Sequence, residues 1–269
     1  DGGLIASGSE DGTIKIWDFN KNKCLHTIRE HTSNVWGISF SPDGQLFASG
    51  SYDKTIKIWR LDQKMCIYTL KGYDDQIGTV TFNSEGSLLA TAGESVVEIW
   101  DVASGNCLYV LEEEEHKGRI KSVAFSPDNQ LLVAGSTDKT IKIWDLHNRQ
   151  LIRKLIGHDA SVVSVAVSPD GEKIVSSACE GTIRIWNIDD GKCIQELSGH
   201  QNWVWSVTFS PDGQFIASAS QDETIILWDN AGKKLATMRG KRPYEGMQIT
   251  GATGLTIAEK SDLINLGAI

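Results

Sequence analysis

Six tryptophans recur along the chain, Trp17, Trp59, Trp100, Trp144, Trp186 and Trp228, at intervals of 42, 41, 44, 42 and 42 residues. A fixed period of this length constrains the fold more than any single motif. Each period is one supersecondary unit, and it buries its apolar face only by stacking on its neighbours. The sequence around each Trp is nearly constant: Gly50-Ser51-Tyr52-Asp53-Lys54-Thr55-Ile56-Lys57-Ile58-Trp59 matches Gly135-Ser136-Thr137-Asp138-Lys139-Thr140-Ile141-Lys142-Ile143-Trp144. From Thr to Trp, β-branched and polar residues alternate with period two, which is the pattern of a half-buried strand.

An apolar run such as Leu46-Phe47-Ala48-Ser49 precedes each Trp strand, entered through Ser41-Pro42-Asp43-Gly44. The same tetrapeptide stands at Ser168 to Gly171 and Ser210 to Gly213, with variants at Asn83 to Gly86 and Ser126 to Asn129. Pro presets φ and Gly accepts positive φ, so the tetrapeptide is a hairpin turn. Each period therefore holds four short strands: one before the turn (Val35 to Phe40), one after it, the Trp strand, and an outer one such as Cys66 to Leu70. No helical period appears between residues 1 and 240. Four antiparallel strands per ~42 residues, repeated radially, predict an all-β chain folded as a β-propeller.

The elements that recur with each Trp carry a family resemblance over residues 1 to 240. Trp-Asp stands at Trp17-Asp18, Trp100-Asp101, Trp144-Asp145 and Trp228-Asp229, and Gly-His at Gly157-His158 and Gly199-His200. Glu30-His31 and Glu115-His116 are variants of Gly-His, and Gly72-Tyr73 departs from it. An acid lies six residues before every repeat Trp: Asp11, Asp53, Glu94, Asp138, Glu180 and Asp222. This pattern closely resembles the WD-repeat β-propeller family. The resemblance implies a buried hydrogen-bond chain of His, strand Ser, turn acid and Trp within a blade. The sets expected to be complete are His31, Ser49, Asp53, Trp59 and His200, Ser218, Asp222, Trp228. Ala90 and Ala134 stand where the Ser is expected in the blades of residues 73–115 and 116–157. The former, with Tyr73 for His, is expected to be the least rigid.

Residues 1–29 supply three strands of a blade without its first, and residues 31–72, 73–115, 116–157, 158–199 and 200–240 five complete blades. Either Gly246 to Gly254 in the tail, residues 241–269, supplies a closing strand for a ring of six, or the chain is part of a ring of seven or more. The second is favoured, because Asp1-Gly2-Gly3-Leu4 reads like the end of a severed Ser-Pro-Asp-Gly turn. In the tail, Thr256 to Glu259 is a capping box followed by Leu263, Ile264 and Leu266, a short C-terminal helix. The tail as a whole resembles a C-terminal cassette of cyanobacterial WD-repeat and pentapeptide-repeat proteins, which implies a bacterial signalling setting.

Cys24, Cys66, Cys107 and Cys193 each lie seven residues after a repeat Trp, where the other repeats have Leu151 and Leu235. Alternation with Leu marks a small apolar packing position. Equivalent positions in separate blades are too far apart to bridge, so free thiols and a reducing, cytoplasmic location are expected. No two cysteines have metal-ligand spacing, and no phosphate-loop, dinucleotide or nucleophile-elbow motif occurs. Neither metal nor cofactor is expected. The formal charge of −9 from 35 acidic and 26 basic residues argues against a nucleic-acid binder. No apolar run reaches the ~18 residues of a membrane span. Glu112 to Glu115 reads as a solvated loop.

Family members bind through the rim where the first strand of each blade begins, and the resemblance maps that rim onto Asn34, Trp36, Tyr52; Gln76, Gly78, Gly93; Arg119, Lys121, Thr137; Ser161, Val163, Cys179; and Trp203, Trp205, Gln221. The chain has nine tryptophans; the three that are not repeat tryptophans, Trp36, Trp203 and Trp205, all fall there. Exposed aromatics are the stuff of interface hot spots. The alternative is that Trp203-Val204-Trp205 only packs the strand start against its neighbour. The expected function is a non-catalytic protein- or peptide-binding scaffold, monomeric if its ring is complete. A propeller hydrolase or lyase with a channel-mouth site is the alternative, and nucleic-acid binding a weaker third.

Overall fold

The structure, a computed structural model, describes residues 2–72, 75–112 and 118–240 together with Ser261 and Leu263. Among the described residues, twenty-three strands form six antiparallel sheets. The first has three strands, β1 (Leu4–Gly8), β2 (Ile14–Asp18) and β3 (Lys23–Ile28). The other five have four strands each, in sequence order. The second sheet is β4 (Val35–Phe40), β5 (Leu46–Ser51), β6 (Ile56–Arg60) and β7 (Met65–Leu70); the third is β8 (Thr79–Phe82), β9 (Leu88–Ala92), β10 (Val97–Asp101) and β11 (Cys107–Leu111). The fourth is β12 (Ile120–Phe125), β13 (Leu131–Ser136), β14 (Thr140–Asp145) and β15 (Gln150–Ile156). The fifth is β16 (Val162–Val167), β17 (Lys173–Ala178), β18 (Ile183–Asn187) and β19 (Cys193–Leu197), and the sixth β20 (Val204–Phe209), β21 (Phe215–Ser220), β22 (Thr224–Asp229) and β23 (Lys234–Arg239). The all-β propeller of four-stranded blades expected from the repeat is the observed fold. The closing strand and nearly all of the C-terminal helix lie outside the described residues; Ser261 and Leu263 are helical.

The turn chemistry sets the first hairpin of each blade. Ser41 Oγ bonds Asp43 at 2.6 Å, Leu46 N–H donates back to Ser41 Oγ at 2.9 Å, and Gly44 takes φ +69°. At Asn129 the same corner is held by an Asn at φ 59°, a conformation Asn tolerates.

The apolar core is a series of interfaces between sheets. In each, the Ile-x-Ile pair of one Trp strand, or Val97 and Ile99 in the third sheet, meets the Trp and first strand of the next. Ile141 and Ile143 pack with Val162, Val165, Ile174 and Trp186, and Ile183 and Ile185 with Val204, Val207, Ile216 and Trp228. Ile14 and Ile16 do the same against Val35, Phe47 and Trp59, whose ring stacks on Phe47 at 5.6 Å. Inner strands are tied together by serines: Phe82 N–H donates to Ser39, Val165 N–H to Ser122 and Val207 N–H to Ser164, at 3.2–3.3 Å. This packing runs from β1 on β4 to β16 on β20. Among the described residues the sixth sheet makes no comparable packing with the first. Consistent with that, Ile225, Met238 and Ile5 are exposed.

The expected packing role of the cysteine position holds in part: Cys24, Cys66, Cys107 and Cys193 sit opposite the repeat Trp across a β-bulge in the outermost strand pair, Cys66 and the equivalent Leu151 pack against the core, and Cys107 and Cys193 are exposed. The outer strand lies at the perimeter, where the next blade touches it through a turn, as at Tyr68, whose hydroxyl donates to Ala103 O at 2.7 Å. All five thiols are free.

Candidate functional site

Within the blades, His31 Nδ1 lies 2.8 Å from Asp53 and its Nε2 2.8 Å from Ser49 Oγ, which also accepts from Trp59 Nε1 at 2.9 Å. The set His200, Asp222, Ser218 and Trp228 repeats these distances within 0.1 Å. Donor counting fixes the chain of protons. The indole N–H donates to the serine, the serine O–H to Nε2, and Nδ1–H to the carboxylate, so a neutral imidazole satisfies every group. Burial pushes the His31 imidazole below its ordinary value, against the pull of Asp53. Burial works against the Asp53 carboxylate as well, but bonds from Thr55, the Thr32 N–H and His31 outweigh it and hold its pKa low.

Sequence reasoning missed a third complete set. His158 bonds Glu180 at 2.5 Å and Ser176 at 2.7 Å, and Trp186 donates to Ser176 at 2.8 Å. The signal was present, since Ser176 lies ten residues before Trp186 as Ser49 does before Trp59. A second correction concerns the blade of residues 73–115. Its hydroxyl is not missing at Ala90 but supplied by Thr91, which accepts from Trp100 Nε1 at 2.9 Å. The β9–β10 hairpin is one residue shorter, so Thr91 pairs with Glu98 as Ser49 pairs with Lys57. For the same reason Glu94 leaves the network and reaches Arg119 at 3.1 Å. Tyr73, His116 and Glu113 to Glu115 lie outside the described residues. In the blade of residues 116–157, Ala134 takes the Ser position as expected, and the buried Lys142 binds Asp138 at 2.8 Å.

The inner strand starts converge on one face. Trp36, Tyr52, Gln76, Gly78, Gly93, Arg119, Lys121, Ser161, Val163, Cys179, Trp203 and Trp205 line a single cavity of about 560 Å³, with Ile120. In four blades the paired positions are locked together through the backbone: Tyr52 N–H donates to Asn34 O, Thr137 N–H to Arg119 O and Gln221 N–H to Trp203 O at 2.9 Å, and Cys179 N–H to Ser161 O at 3.0 Å. Asn34, Thr137 and Gln221 thus sit beside the cavity lining without being part of it. Trp36, Trp203 and Trp205 are 51%, 43% and 46% exposed. Trp36 leans on Tyr52 at 5.8 Å and Trp203 meets Trp205 edge-on at 5.2 Å. Arg119 lies 5.8 Å over the Tyr52 ring and bonds Gln76 and Glu94. Burial, then the neighbouring Arg119, lowers the Lys121 ammonium pKa. Among the described residues no Asp, Glu or His lines this cavity. Among the described residues no group of three or more His, Cys, Asp or Glu is placed to hold a metal, and no helix is long and apolar enough to cross a membrane.

Residues 1–192 match the family model described as the TEP-1 second beta-propeller, and residues 191–229 that of the WD domain, G-beta repeat. The chain is 32% identical over 169 residues to Nuclear distribution protein PAC1 of Arthroderma otae and 27% over 158 residues to Pre-mRNA-processing factor 19 of Oryza sativa subsp. japonica. Over 64 residues it is 39% identical to Target of rapamycin complex subunit LST8 of Saccharomyces cerevisiae. These matches take in 58%, 58% and 24% of this chain, but only 36%, 22% and 21% of those proteins, so the chain spans a minor part of the relatives' length. With its repeat period, its Trp-centred hydrogen-bond sets and a family model matched over most of its length, the chain belongs to the WD-repeat β-propeller family.

Proposed function

We propose that this chain is a non-catalytic scaffold that docks a protein or peptide segment on the face where its inner strands begin. One observation carries the reading: three half-exposed tryptophans from the second and sixth sheets line the same cavity as Arg119 and Lys121. Aromatic anchors of this kind supply most of the energy of protein interfaces. Two cations inside a chain of net charge −9 add a specific preference. The docked segment combines bulky apolar side chains with at least one carboxylate. One relative is named as a subunit of a complex, which agrees with an assembly role. Among the described residues the cavity lining offers no carboxylate or imidazole for acid–base chemistry, which favours the scaffold reading over a hydrolase or lyase. Five free thiols support a reducing, cytoplasmic setting. A bacterial signalling context rests on the resemblance of the tail.

The test is a capture experiment with the chain, the Trp36→Ala/Trp205→Ala double variant, and Ile194→Ala, which alters an exposed residue on an outer strand. A protein retained by the chain and by Ile194→Ala but lost from the folded double variant supports the reading. Equal retention by all three moves the site off this face.

A further inference from the structure

We infer that the docked partner enters the shared cavity by its C-terminus, setting its terminal carboxylate on Lys121 and a large apolar last side chain against Trp36 and Trp205. The inference rests on the docking function proposed above and names the end of the partner that the cavity reads.

In four blades the inner strand carries a β-bulge at the same place: between Val35 and Gly37, Ile120 and Ser122, Val162 and Ser164, and Val204 and Ser206. The extra residues are Trp36, Lys121, Val163 and Trp205, and all four line the cavity. A bulge leaves one residue unpaired and re-aims its side chain. The third sheet pairs in register from Thr79 opposite Ala92 to Phe82 opposite Leu89, and it lines the cavity with Gln76, Gly78 and Gly93. Its two glycines add no side chain, and Arg119 reaches across that sheet to the Tyr52 ring at 5.8 Å.

Three of the four bulge residues are apolar and one is a cation. Arg119 is already matched, bonding Glu94 at 3.1 Å and Gln76 at 3.4 Å. Lys121 is not. Among the described residues no carboxylate or other acceptor bonds its half-buried ammonium. Its ionisable neighbours are the Arg119 guanidinium, which repels it, and the Cys179 thiol, which burial keeps protonated. A neutral ligand that covers Lys121 leaves a cation without water or partner, which is costly, whereas a ligand that brings an anion removes that cost. The cavity therefore selects a negative group placed among Trp36, Val163 and Trp205.

Size decides which carboxylate this is. About 560 Å³ is the volume of a small-ligand pocket, room for roughly the last two or three residues of an extended chain. An internal Asp or Glu reaches Lys121 only if its chain turns back inside the cavity. That sets a second strand ~5 Å beside the first, in space already narrowed by three indole rings. A C-terminus enters singly and delivers its carboxylate first. The last side chain then meets Trp36 from the second sheet and the Trp203–Trp205 pair from the sixth, contacts that favour an aromatic residue.

The probe is the synthetic peptide acetyl-Gly-Ser-Gly-Ile-Phe with a free C-terminal carboxylate, titrated into the full chain and followed by tryptophan fluorescence. One control is the same peptide as its C-terminal amide. The other is acetyl-Gly-Ser-Gly-Asp-Phe amide, whose one carboxylate lies inside the chain. We expect saturable binding of the free acid and at least about tenfold weaker binding of both controls. Lys121→Met keeps the side-chain bulk and removes the charge, so the acid falls to the affinity of the amide while the amide is not weakened. Lys121→Arg keeps the preference for the acid. Lys121→Met gives up no described partner, so its Tm should not fall, and that measurement verifies its fold. Absence of acid binding at millimolar peptide, equal binding of acid and amide, equal binding of the internal acid, or a preference that survives Lys121→Met overturns the inference. The docking function fails separately, when Trp36→Ala/Trp205→Ala retains the captured partner. It stands without the C-terminal reading when that variant loses the partner but acid and amide bind alike.

Discussion

The serine beneath a repeat Trp carries two hydrogen bonds at once. Ser176 accepts the Trp186 indole N–H and meets His158 Nε2, and all three side chains are buried. Its removal strands two buried polar groups, each costing about 1–3 kcal/mol. Ser176→Ala should therefore lower stability by about 2–4 kcal/mol, measured by urea unfolding; a loss below about 0.5 kcal/mol would contradict the network. The same sets make stability depend on pH. Burial holds His31 below its ordinary value of 6.5, so its contribution is complete above that pH and fades as the pH falls through the lower folded value. Glu180 is held at about 2 despite burial, because His158 and Thr182 bond its carboxylate. Its contribution is present above the ordinary carboxylate value of 4.5 and is lost as the pH falls towards 2. Tm should be highest above pH 6.5, sag below it and drop steeply under pH 4.5. A flat profile from pH 7 to 3 would refute this.

Among the strands and turns, close approach decides which residues are tolerated. Gly199, at the Gly-His corner, has ordinary backbone, yet a Cβ there would lie 2.9 Å from the end of the Trp228 ring and 3.5 Å from Ile226. The ring is 2% exposed and tied to Ser218, so it has little freedom to move away. Gly199→Ala should cost about 1–3 kcal/mol by overpacking alone, read as a lower urea midpoint at unchanged slope. A neutral or stabilising result would show that the indole can shift. The loss of one residue in the β9–β10 hairpin has a different outcome. It moves the hydroxyl role from a serine to Thr91 and frees Glu94 to pair with Arg119 at the cavity. Reading Ala90 as the equivalent position failed because spacing from Trp was counted without allowing for a shorter turn.

Across the whole molecule, stability is a chain of nearest-neighbour interfaces, as in other repeat proteins. The fourth and fifth sheets are covered on both sides. In the first and sixth, Trp17 on one side and Ile225 and Met238 on the other face no described sheet. All six residues of β23 are exposed. Hydrogen exchange should therefore be slowest in β13, β14, β17 and β18 and fastest in β1–β3 and β23. Uniform protection over all six sheets would show that the ring is closed and cooperative in solution.

Much of this was legible in residues alone. Trp spacing, period-two alternation and the Ser-Pro-Asp-Gly turn are local signals that repeat, so they determined the strands, their order and the propeller. The excess of three tryptophans over the six repeats singles out Trp36, Trp203 and Trp205. What the tertiary structure decided is which groups from different blades meet. Only the radial arrangement puts Arg119 over Tyr52 and gathers five blades around one cavity. The period of a sequence reports each unit and its neighbour, whereas a shared cavity depends on how the units curve around a common centre.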